Sequence, residues 1–182
     1  MLFVACFIIV VFVAIAIFAF PQFSPIPYFP ANKKDVPFII KAINLKNNQI
    51  VFDLGAGDGL IIFEAANETF RKKLNTQFVA VEVNPILLCI VYVQRLFSPN
   101  RKNIHIVYGN MFSMNFSSLS IPYSLPPTFY LYISPWHLEK TVANISHQFN
   151  HFLLVSYMYE ITSLKLAEKI KGNKHPTFVY NI

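Results

Sequence analysis

The chain has 182 residues, 54% of them hydrophobic, and 15 Lys and Arg against 9 Asp and Glu give it a formal net charge of +6. That length suits one domain, and that apolar content is high for a soluble protein. Two cysteines exclude a disulfide framework.

Residues 1–20 contain no charged side chain. As a helix rising about 1.5 Å per residue they would span roughly 30 Å, the thickness of a bilayer's hydrocarbon core. A cleavable signal would have a basic start and a shorter apolar core of about 7–15 residues. A transmembrane anchor over 1–20, in contact with the lipid bilayer, is therefore expected. Residues 21–34 follow as a Pro-rich linker, with Pro21, Pro25, Pro27 and Pro30 stiffening it. Lys33 and Lys34 come first after the anchor and favour a single-pass arrangement with the globular part on the cytoplasmic (or mitochondrial matrix) side. Other Lys and Arg are scattered without an aromatic-interleaved patch, so nucleic acid is not expected as a partner.

The domain over 35–182 begins with Val36, Ile39, Ile40 and Ile43 at helix spacing. Ile50 to Leu54 reads as a first strand and Asp58 to Phe70 as a helix. Phe78 to Glu82 is a second strand, and Asn84-Pro85 opens a helix reaching Leu96, with Pro at a first-turn position. Cys89, set among apolar neighbours in that helix, is expected to be buried. Ile104 to Tyr108 is a third strand, and an irregular stretch follows from Ser113 to Pro127. Further strands are expected at Thr128 to Ile133, Phe152 to Tyr157 and Thr177 to Asn181, with helices over 138–149 and 163–170. Strands alternating with helices imply an α/β, Rossmann-like fold with a mainly parallel, doubly wound sheet.

Chemistry gathers where these strands end. After the strand Ile50–Leu54 the chain reads Asp53-Leu54-Gly55-Ala56-Gly57-Asp58-Gly59. A strand–glycine turn–helix unit presents backbone N–H groups and a helix N-terminus to a polar ligand. A dinucleotide fingerprint needs a third small residue where this chain has Leu60, which argues against a nicotinamide cofactor. Glu82 ends the second strand, where a carboxylate can take ribose hydroxyls. Asn84 follows beside it. Asn110 could accept from an adenine amino group, with Met111 and Phe112 against the ring. Ligands of such sheets bind beyond the strands' carboxyl ends, which is where Asp53, Glu82, Asn110 and Ser134 all fall. No Ser–His–Asp order and no metal-ligand spacing is evident.

Pro27-Tyr28-Phe29-Pro30, Asp53 to Gly59, Glu64-Ala65-Ala66 and Glu82-Val83-Asn84-Pro85 occur in one order behind the apolar N-terminus. In this the chain resembles the membrane-anchored protein-lysine methyltransferases, the ATP synthase c-subunit lysine N-methyltransferase family, within the class I enzymes that use S-adenosyl-L-methionine (SAM). The resemblance implies SAM as methyl donor and a lysine of a membrane-associated protein as acceptor. It also implies a cofactor site of Asp53, Gly55, Ala56, Gly57, Asp58, Gly59, Glu82, Asn84, Asn110 and Met111. The family carries an acidic residue at position 110 and often Arg at 60. Ser134-Pro135-Trp136 departs from the Asn/Asp-Pro-Pro-aromatic signature of methyltransferases acting on planar nitrogens. Tyr28, Tyr132, Ser134, Pro135, Trp136 and His137 are candidates to line an acceptor channel. An RNA, lipid or small-molecule methyltransferase and a non-catalytic membrane adaptor keeping the fold are the alternatives.

Overall fold

The computed structural model describes residues 2–19 and 28–182. An N-terminal helix α1 covers Leu2–Ala19, and the rest of the described chain builds one seven-stranded sheet in the order β3-β2-β1-β4-β5-β7-β6. The strands are β1 Ile50–Leu54, β2 Gln77–Glu82, β3 Ile104–Tyr108, β4 Thr128–Leu131, β5 Leu153–Tyr157, β6 Glu168–Ile170 and β7 Thr177–Asn181. The remaining α-helices are α2 Val36–Ile43, α3 Leu60–Lys72, α4 Pro85–Phe97 and α5 Pro135–Ser146, and a short 3-10 helix covers Arg101–Asn103.

β1 to β5 pair in parallel, and β7 runs antiparallel to both β5 and β6. Parallel strands covered on both faces read as continuous apolar runs, and every residue of β1, β2 and β4 is buried. Val51, Phe78, Ala80, Tyr130 and Val155 face one layer with α2 and α3. Phe52, Leu54, Val79, Phe129 and Leu154 face the other, with α5 and the 111–121 stretch. In that second layer Phe52 stacks on Phe129 at 4.8 Å between ring centroids. Strand order reverses beside β1, which has β2 on one side and β4 on the other. A crevice opens at such a switch point.

Two expectations are corrected. Residues 163–170 form no helix, because Glu168–Ile170 is strand β6, hydrogen-bonded along β7. Cys89 is exposed on α4. The expected transmembrane span over 1–20 also lacks support. Eighteen helical residues reach about 27 Å at 1.5 Å each, and among the described residues no helix is long and apolar enough to cross a membrane. Residues 21–27, half of the linker, lie outside the described residues.

Candidate active site

A cleft of about 760 Å³, counting space open to solvent, lies beyond the carboxyl ends of β1, β2 and β4. Of the expected residues, Tyr28, Asp53, Gly55, Ala56, Gly57, Asp58, Glu82, Asn110, Met111 and Tyr132 line it. Phe29, Leu60, Val83, Phe112, Tyr130 and Ile133 line it as well. Leu60 was legible only as a departure from a glycine pattern, and Tyr130 gave no signal within its apolar strand.

The glycine turn is held by its own amides. Gly55 and Ala56 N–H donate to the Val81 carbonyl at 2.9 and 3.0 Å, and Gly59 N–H donates to Ala56 O at 2.8 Å. Gly57 N–H donates to Glu82 Oε2 at 2.8 Å, and Leu60 N–H to Asp58 Oδ1 at 3.1 Å. The expectation of bare N–H groups facing a ligand therefore does not hold for these five. An anion such as a pyrophosphate needs free donors, whereas this cleft presents three carboxyl groups and no Lys or Arg in its lining. The chemistry suits a cation.

Gly57 has φ +59, and a Cβ there would stand 2.7 Å from Tyr28 Cε2. The Tyr28 ring thus lies directly on the turn. Burial, then the charge of Asp58 and a hydrogen bond to its carboxylate, push the Tyr28 phenol far above its usual value, so it stays a hydroxyl.

Glu82 is buried and its Oε1 accepts from Val83 and Asn84 N–H, each at 2.8 Å. With Gly57 on Oε2, three of the carboxylate's four or so acceptor positions are filled. One position on Oε2 remains, so a ribose can place one hydroxyl there rather than two. Asp53 has a different environment. It is fully buried below the cleft, and burial, then the charges of Glu82 and Asp58, raise its carboxyl from 3.8 to about 8. Tyr130, its register partner on β4, has a buried hydroxyl with no hydrogen-bond partner among the described residues. A neutral carboxyl beside an unpartnered hydroxyl is a polar floor that a ligand with donors and positive charge would satisfy.

Other expected residues serve the scaffold. Asn84 caps α4, its Oδ1 accepting from Ile86 and Leu87 N–H at 3.0 and 3.3 Å. Gly59, φ +81, begins α3 against Phe63 and Val91. Asn110 Oδ1 already accepts from Phe112 N–H at 2.9 Å, leaving one acceptor position for an adenine amino group. Ser134, Pro135, Trp136 and His137 open α5 outside the cleft lining. Trp136 is 76% exposed. His137 packs on Phe112 at 5.2 Å between centroids, so it stands behind a cleft residue rather than in the cleft. Tyr132 reaches the cleft and packs edge-on to Tyr157 at 4.9 Å.

No family model matches the chain. It is 32% identical over 98 residues to a protein-lysine N-methyltransferase of Saccharolobus islandicus (strain REY15A), which covers 53% of this chain. The matched part spans 57% of that relative's length. Among solved structures it is similar to an RNA methyltransferase from Salinibacter ruber in complex with S-adenosyl-L-homocysteine, with TM-score 0.68 at 18% identity, over 85% of this chain and 94% of that one. It is also similar to a precorrin-6y C5,15-methyltransferase from Geobacter metallireducens, with TM-score 0.55 at 15% identity, over 84% and 92% of the two chains. Proteins with such different acceptors share this architecture, and the chain has the Rossmann-like fold of the methyltransferases.

Proposed function

We propose that the protein is a SAM-dependent methyltransferase that acts on lysine side chains of a protein. The observation that carries the donor is the carboxyl-lined, cation-free cleft at the switch point, floored by Asp53 and Tyr130. When bound, SAM would bring a sulfonium and an ammonium and would supply a methyl group for in-line displacement by the acceptor nitrogen, with S-adenosylhomocysteine as leaving group. In this reading Asp53 and Asp58 hold the ammonium and Glu82 Oε2 takes a ribose hydroxyl. Asn110, Met111 and Phe112 border the adenine.

The acceptor assignment is supported by the lysine methyltransferase relative and by the aromatic wall of the cleft. A lysine must lose its proton before attack, against a free pKa of about 10.4. Tyr28, Phe29 and Tyr132 offer rings and hydroxyls rather than solvent, which disfavours the ammonium form. Positioning and exclusion of water are the work left to the chain.

Attachment to a membrane, with the domain on the cytoplasmic or matrix side, belongs to the same proposal. It is supported by α1, whose Phe3, Phe7 and Phe12 are 92%, 68% and 72% exposed. Such a helix would confine the enzyme near membrane-associated substrates.

The test is incubation of the full chain with methyl-labelled SAM and a membrane extract. Label recovered as methyllysine after acid hydrolysis is the expected outcome. Label removed by nuclease or extracted with lipid contradicts a lysine acceptor. No label contradicts transfer.

A further inference from the structure

We propose that the outward face of α4 is a docking surface for an anionic lipid bilayer. It needs neither α1 nor the methyl-transfer reading. Within Pro85–Phe97 only Leu87 and Val91 are buried. Cys89, Tyr92, Val93, Leu96 and Phe97 recur at helix spacing on the opposite side, and all are exposed. Leu96 is 62% and Phe97 83% exposed. A surface helix ordinarily turns its apolar stripe inward. A contiguous apolar stripe facing outward marks an interaction surface.

The charge around the stripe selects the occupant. Asn100 Nδ2 donates to Ala66 O at 3.1 Å and Thr69 Oγ1 at 3.0 Å, which fixes the end of α4 against the last turn of α3. Arg71, Lys72 and Lys73, which follow Thr69, thereby lie near Arg101 and Lys102, which follow Asn100, and of these five Arg71 and Lys72 pair with Glu68. No Asp or Glu occurs between Glu82 and Glu139. An apolar stripe with a basic rim matches an acyl layer beneath anionic headgroups. A second copy would set this basic rim against another like it. α1 carries no charge to meet the rim.

The two cysteines allow a direct test. In Cys6→Ser, Cys89 is the only thiol and takes a fluorescent label, and in Cys89→Ser a label on Cys6 reports α1 separately. The full chain is mixed with phosphatidylcholine vesicles, with and without phosphatidylserine, carrying spin-labelled acyl chains as quenchers. Quenching of the Cys89 label is expected, stronger with phosphatidylserine, with vesicle affinity about fivefold weaker in Lys102→Gln. Leu96→Glu with Phe97→Glu, both at exposed positions, should abolish Cys89 quenching and leave Cys6 quenching unchanged. A Cys89 label that vesicles do not quench overturns the proposal, whatever the Cys6 label does. So does quenching that survives the double substitution, and so does a Cys89 label shielded without lipid by concentration-dependent self-association.

Discussion

Asp53 and Glu82 line the same cleft and differ in how their carboxyl groups are hydrogen-bonded. The Glu82 carboxylate accepts from three backbone N–H groups, whereas Asp53 accepts from none and burial raises its carboxyl to about 8. Between its ordinary 3.8 and about 8, the folded chain therefore holds a proton on Asp53 that the unfolded chain has released. Stability falls as pH rises through that window. Thermal melts across it should show the slope in the parent and lose it in Asp53→Asn. At about pH 8 the variant should be the more stable by about 1.4 kcal/mol or more, the worth of one pKa unit. Glu82→Gln should fold, with about 1 kcal/mol lost because one of the three N–H donors loses its acceptor. Its SAM affinity should also fall, as measured by calorimetry. For Gly57→Ala the left-handed backbone costs about 1–2 kcal/mol, and the new Cβ displaces Tyr28. Denaturant melts check the first effect and SAM titration the second.

Elements were legible where the pattern was local. The run Ile50 to Leu54, the strand Ile104 to Tyr108 and the Asn84-Pro85 start of α4 stand where periodicity and capping put them. Ser163 to Ile170 misled because its Leu164, Leu166 and Ala167 suit a helix, while its partner β7 lies further along the chain. Cys89 misled for a related reason, since apolar neighbours predict burial only if the face is covered. In the site, the strand-end acids were visible, but Tyr130 and the internal use of the glycine amides depend on register and turn geometry.

Asp35 shows how the long-range elements are joined. Its carboxylate accepts from Asn173, Lys174 and His175 N–H and from the Tyr157 hydroxyl, linking the start of α2 to the β6–β7 turn and to β5. Burial works to raise this carboxyl, but the four donors hold it below its ordinary value. Its contribution is therefore present above the usual carboxylate range and is lost as pH falls through the folded value. Asp35→Ala should cost about 3 kcal/mol in urea melts by depriving the buried Tyr157 hydroxyl and three half-buried N–H groups of their acceptor. Asp35→Asn should lose less and flatten the acid limb.

At the scale of the whole molecule, a parallel sheet with an antiparallel β7 places a carboxyl-lined cleft at its switch point, with Tyr28 lying on the glycine turn. Two apolar surfaces, α1 and the outer face of α4, are exposed. SAM is the proposed occupant of the cleft. Calorimetric titration of the full chain with SAM at about pH 7, in buffers of different ionisation enthalpy, tests it most directly. Saturable binding at one site is expected, with release of close to one proton as a cation ionises Asp53, and that binding should be lost in Gly57→Arg. No binding, or binding that Gly57→Arg leaves unchanged, would contradict it.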